Sequence, residues 1–198
     1  MPKRTLLIEI TRMQSSSAIA YKMTAAEFFS LPEGPPYFQL LDGDLYMSPS
    51  PRRYHQKLIV RLVGILQAYL ERHLLGEIYV APSDVVFTQD TILNPDIYFV
   101  SHERAGILTD QGAEGAPDLV VEVLSPSTAR LDLGRKREVY AESGVLEMWV
   151  VSPRTRGVEI YRFAENASEP VAILGQGDTL ASPLLPELAI RISDLFEF

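Results

Sequence analysis

Between Pro117 and Tyr140 the chain reads PDLVVEVLSPSTARLDLGRKREVY, which sets one carboxylate, Glu122, inside the apolar run Leu119-Val120-Val121-Glu122-Val123-Leu124. A charge in such surroundings is costly unless something pairs with it or ligates it. The run is too short for a helix, rich in valine, and stops at Ser125-Pro126, so it reads as a central strand covered on both faces. Ser127 or Thr128 then caps a helix that carries Lys136.

The rest of the chain supplies the elements that cover such a strand. Residues 1–20 show no sustained period and end near Ser15-Ser16-Ser17, which predicts an N-terminal arm or an extra edge segment ahead of one domain over residues 21–198. Thr24 and Glu27 form a capping box before Phe28 and Phe29, and Pro32-Glu33-Gly34 ends that short helix. Tyr37 to Met47 alternates around Asp42-Gly43, as a tight hairpin does. From Tyr54 to Leu75, apolar side chains at Leu58, Ile59, Leu62, Val63, Leu66, Tyr69 and Leu70 follow helical spacing, with Gly76 as the stop.

Ile78 to Phe87 and Ile92 to Val100 read as two strands joined by the turn Thr88-Gln89-Asp90. The stretch from Ser101 to Ala116 reads as a loop with a short helix. Beyond the central strand and its helix, Ser143-Gly144 is a helix stop. Val145–Val151, Val158–Phe163 and Val171–Leu174 read as a meander that continues the sheet. The order predicts an α/β (α+β) fold with a mixed β-sheet core flanked by helices.

Composition narrows the chemistry. The absence of cysteine rules out disulfides and thiolate metal sites. Glu9 and Arg12 interrupt the N-terminal apolar patch before a signal-peptide core forms, and no apolar run approaches a membrane span, so the expectation is a cytoplasmic protein with no membrane partner. A net charge of −8 argues against broad adhesion to nucleic acid and leaves any such contact to local basic patches.

Three residues form a constellation with chemical meaning. Asn94-Pro95-Asp96 begins a strand, Glu122 lies on a second, and Lys136 lies on the helix that follows. If the strands are neighbours, two carboxylates reach one cation and a lysine orients water or stabilises a phosphoryl transition state. Mg²⁺ suits the set, with Mn²⁺ as a substitute, because it binds through one or two carboxylates and keeps several waters. Pro117-Asp118 competes with Pro95-Asp96, but on one strand Asp118 and Glu122 lie roughly 13 Å apart, too far to share an ion.

The motifs Leu41-Asp42-Gly43-Asp44, Met47-Ser48-Pro49-Ser50-Pro51 with His55, Asn94-Pro95-Asp96, Ala116 to Thr128, Asp132 with Lys136 and Tyr140, and Gly144 to Trp149 together resemble the Uma2 family. That family belongs to the PD-(D/E)XK restriction-endonuclease-like superfamily. The similarity runs from about Thr24 to Phe198, and its most specific part is Ala116 to Thr128. It implies a restriction-endonuclease-like sheet with Asp96 and Glu122 as metal ligands. The superfamily's usual lysine falls two residues past the strand carboxylate, where this chain has Leu124, and Lys136 stands as its migrated equivalent. Where relatives commonly have Tyr-Glu-Leu, this chain has Phe38-Gln39-Leu40, so Gln39 replaces an outer carboxylate.

The resulting expectation is a Mg²⁺-dependent endonuclease that hydrolyses DNA, with a non-catalytic nucleic-acid or protein-binding module on the same fold as the alternative. Each residue also has a plainer role: Glu122 as a satisfied buried acid, Asp96 as a turn residue, Lys136 in a solvated pair with Asp132. His55 could touch phosphate or simply begin the long helix. Arg52, Arg53 and Lys57, with Arg130, Arg135 and Arg137, form two basic clusters suited to a nucleic-acid groove or to solvated helix faces. Tyr140 packs on the sheet with its hydroxyl near the site, and Trp149 belongs to the core. Nucleases that cut two strands often work as symmetric pairs, so a homodimer is expected.

Overall fold

The computed structural model describes residues 21–48, 50–126 and 129–198. The arm expected over residues 1–20 and the Ser127 or Thr128 cap lie outside them. Thr24 caps α1 (Ala25–Phe29) with the reciprocal Glu27 contact its sequence predicts. β1 (Phe38–Leu41) and β2 (Asp44–Met47) form the expected hairpin, closed by Asp42 and Gly43 at φ of 50° and 77°. Two successive positive φ values give a turn whose twist matches the flanking strands, which is why Asp-Gly serves there.

α2 (Arg53–His73) buries Leu58, Ile59, Leu62, Leu66, Tyr69 and Leu70, the stripe its spacing dictates. It ends differently from the sequence reading: Leu74 adopts the left-handed cap at φ 44°, and Gly76 already belongs to β3 (Gly76–Val80). The glycine is needed there for close approach, since a Cβ would stand 2.1 Å from the Val100 carbonyl oxygen. Gly76→Ala is therefore expected to destabilise by about 1–3 kcal/mol, read as a lower urea midpoint at unchanged slope.

The two long strands of the sequence reading are each divided. Ala81-Pro82-Ser83 separates β3 from β4 (Asp84–Thr88), and Asn94-Pro95-Asp96 separates β5 (Thr91–Leu93) from β6 (Ile97–Ser101). Proline offers no N–H to a ladder, so each strand leaves one sheet and enters another at the break. β4 and β5 pair with each other in the sheet of β1 and β2, whereas β3 and β6 pair with each other in the second sheet. The segment after Ser101 forms a 3₁₀ turn (His102–Ile107), then β7 (Leu108–Thr109) and β8 (Gly112–Glu114), so it is more ordered than a loop.

β9 (Leu119–Val123) is buried throughout, parallel to β10 (Glu147–Ser152) and antiparallel to β6. β11 (Gly157–Arg162) and β12 (Ala172–Leu174) continue the predicted meander. One face of this sheet, with Leu119, Val121, Val123 and Trp149, packs on α2. Trp149 is a core residue whose indole N–H donates to Glu147 Oε1 at 2.6 Å. Val120, Met148 and Val150 form the other face, against Val139, Tyr140, Leu41, Val85 and Leu93.

The helix after β9 consists of α3 (Ala129–Leu131), a segment kinked at Gly134 (Asp132–Lys136) and α4 (Arg137–Ser143), closed by Gly144 at φ 91°. A final hairpin, β13 (Thr179–Ser182) with β14 (Leu185–Arg191), precedes α5 (Ile192–Phe196) and had no counterpart in the sequence reading. The result is a mixed α/β architecture of multi-stranded sheets flanked by helices, as the order of elements predicts. Among the described residues no helix is long and apolar enough to cross a membrane.

Candidate active site

Side chains alternate along a strand, so Glu122 shares the face of Val120 and points toward α4. Its Oε1 accepts the Tyr140 hydroxyl at 2.6 Å and the Lys136 ammonium at 3.1 Å. Lys136 also lies 3.0 Å from Asp132 Oδ1. The plainer reading of Lys136 as half of a solvated pair does not hold, because the cluster is closed from water: the side chains of Glu122, Asp132 and Lys136 are 4%, 3% and 4% exposed.

Asp96 immediately precedes β6, whose Ile97 stands opposite Val121 in β9. Continuing that antiparallel register sets Asp96 across from Glu122. Its Oδ2 accepts the backbone N–H of Val123 at 2.7 Å and lies 3.1 Å from His55 Nε2. The carboxylate thus continues the ladder where the strand itself has turned away. His55, in the first turn of α2, is largely buried, and its Nδ1 has no hydrogen-bond partner.

A polar network fixes the corner that presents Asp96. Gln39 Oε1 accepts the Asn94 N–H, while Gln39 Nε2 donates to Ser48 Oγ. The Asn94 amide donates to Asp84 Oδ1 at 2.8 Å and to the Phe38 carbonyl, and its own Oδ1 is buried without a partner. Burial raises the proton affinity of Asp84, which the Asn94 bond partly offsets. Gln39 therefore acts on Asn94, two residues from Asp96.

The basic residues divide into two groups. Arg52, Arg53, Lys57 and Arg130 are exposed. Arg135 instead grips both oxygens of Asp42 and reaches Glu138 and Glu142, and Arg137 binds the Leu133 and Ala167 carbonyls while covering the Tyr161 ring. Asp118 serves the strand start, accepting the Ser101 N–H at 2.7 Å and facing Arg104.

Electrostatics set the character of the cluster. Burial, above all, lifts the Glu122 carboxyl to about 8; Lys136 pulls it down, Asp132 and Asp96 push it up, and the Tyr140 hydrogen bond pulls it down again. Burial alone would favour a neutral Lys136, but Glu122 and Asp132 outweigh it and raise its proton affinity. Burial and then the Glu122 charge push the Tyr140 hydroxyl well above its ordinary range. For His55 burial acts downward, yet the bond and charge of Asp96, aided by Glu122, give a net rise.

These shifts have a sign in stability. A carboxyl raised on folding contributes fully below its unfolded value near 4.3 and loses that contribution as pH climbs through its folded value. His55 acts in the same direction starting from about 6.5. In chelator, the free energy of unfolding is expected to fall between about pH 5 and 8, which urea titrations at fixed pH will show.

Two carboxylates at adjoining strand ends fit a hard divalent cation. Magnesium typically takes one or two carboxylates and fills its remaining positions with water and phosphate. Among the described residues no group of three or more His, Cys, Asp or Glu side chains is placed to hold a metal ion, so any cation here would rest on the two carboxylates, water and phosphate. Asp132, quoted from the sequence only as part of the pattern with Lys136, is buried beside it and joins the cluster.

A family model, Uma2, described as "Putative restriction endonuclease", matches residues 25–193. The fold resembles the crystal structure of "a putative nuclease belonging to DUF820" from Anabaena variabilis ATCC 29413, with a TM-score of 0.75, 21% identity, and coverage of 88% of this chain and 97% of that one. No curated protein matches the sequence.

Proposed function

The chain belongs to the Uma2 family, and from that premise we propose that it is a nuclease, specifically a Mg²⁺-dependent endonuclease that hydrolyses DNA phosphodiester bonds. One observation carries the reading: Asp96 accepts the N–H of the residue after Glu122, while Glu122 itself holds Lys136. Two acids and an ammonium from separate elements thereby meet at one sheet end.

Asp96 and Glu122 would hold the cation, which when bound supplies a Lewis acid that lowers the pKa of water and neutralises phosphate charge. His55 and the Val123 N–H fix the Asp96 carboxylate, and Tyr140 fixes that of Glu122. Lys136 positions the attacking water or a phosphate oxygen through its N–H donors. Exposed Arg52, Arg53 and Lys57 precede and follow His55, where they can meet the phosphate backbone without base preference.

The test is nicking of supercoiled plasmid with Mg²⁺ or Mn²⁺, against chelator and against Asp96→Asn. Cleavage that requires the metal and disappears in the variant supports the reading, and equal cleavage by both proteins rejects it. The closed burial of Glu122 and Lys136 favours a second reading, a non-catalytic nucleic-acid or protein-binding module. DNA binding without divalent-ion uptake or cleavage would select that one.

A further inference from the structure

The catalytic reading uses Glu122 and Lys136 but leaves Asp132 unexplained. Asp132 is buried, and its Oδ1 lies 3.0 Å from the Lys136 ammonium that stands 3.1 Å from Glu122 Oε1. Lys136 thus contacts both acids at once, at nearly equal range. The segment Asp132–Lys136 is broken from regular helix at Gly134 (φ −101°, ψ −113°). The kink falls between the two residues, and both side chains are nonetheless buried and in contact.

A lysine bound only to Glu122 would compete with any divalent ion for that carboxylate. We propose that Asp132 is a positioning residue that receives Lys136 when a divalent cation occupies Glu122, so that the metal and the ammonium occupy the site together. The inference rests on Glu122 being a metal ligand, as in the proposed function. Without Asp132 the ammonium would have no second buried acid and would remain on Glu122, excluding the metal. With Asp132 the cluster holds an ion pair whether or not the metal is present.

The experiment is a Mn²⁺ titration of DNA-free protein, following the loss of the free-ion electron paramagnetic resonance signal, for the wild type, Glu122→Gln, Asp132→Asn and the double variant Asp132→Asn/Lys136→Met. Asp132→Asn is expected to bind Mn²⁺ about tenfold more weakly, the size typical of a lost partner to a metal ligand. Removing the competing lysine as well is expected to restore affinity to within about threefold of wild type, a rescue that a merely structural role for Asp132 would not give.

Wild-type affinity in Asp132→Asn, or a double variant as weak as the single one, overturns the inference while leaving Glu122 as a ligand. Equal binding by wild type and Glu122→Gln overturns the metal assignment and the inference with it. If Asp132→Asn does not fold, Asp132→Ser takes its place with the same expected result, and Asp132→Ser/Lys136→Met supplies the rescue arm.

Discussion

Lys136→Met is expected to lower the unfolding free energy by about 3–5 kcal/mol, the usual cost of removing one partner from a buried ion pair. Lys136 is the cation that faces both Glu122 and Asp132, and all three are almost closed to solvent. Its loss leaves two carboxylates in an apolar layer, where they protonate or draw in water. The loss should grow with pH above neutrality, since Glu122 is already lifted to about 8 with the lysine present. Lys136→Met/Glu122→Gln/Asp132→Asn, which neutralises the whole cluster, should recover most of the difference. Urea unfolding in chelator at about pH 6 and 8 measures both effects.

Glu122→Gln is expected to reduce plasmid cleavage by about a thousandfold, comparable to removal of a principal group that stabilises transition-state charge. The same change should leave stability at pH 8 unchanged or improved. It keeps an oxygen for Tyr140 and Lys136 and leaves Lys136 paired one-to-one with Asp132. A variant that is inactive yet at least as stable separates chemistry from architecture, as expected where a strained charge is retained for function. Single-turnover cleavage beside unfolding curves on the same preparation provides the measurement.

The sequence announced these elements unevenly. The α2 stripe and the β9 run were readable because each burial pattern follows a local period. Asp42-Gly43 was readable because few dipeptides suit two positive φ values. The division of the paired strands at Pro82 and Pro95 was harder to read, since proline marks a break but does not say which sheet receives the next residue. The β13–β14 hairpin was obscured by Pro186, although Leu188, Ile190 and Ile192 alternate as strand residues do.

At the site, the residue types were visible and their partners were not. Asp132 and Lys136 have the spacing of any surface pair, and only the burial of α4 against the sheet distinguishes them. The separation of Arg135 and Arg137 from the exposed cations likewise depends on distant chain: Asp42 in a hairpin and Ala167 beyond β11. Contacts remote in sequence leave no local trace to read.

The break at Asn94-Pro95-Asp96 has a mechanical consequence. Because the residues before it belong to one sheet and those after it to the other, the proposed metal-binding aspartate sits on a hinge plate screwed to two walls. Gln39 and Asn94 tie the outer hairpin to that aspartate by hydrogen bonds, whereas Glu122 lies within the central sheet. Substitutions at Gln39 therefore act first on the corner that carries Asp96 and only indirectly on the central strands.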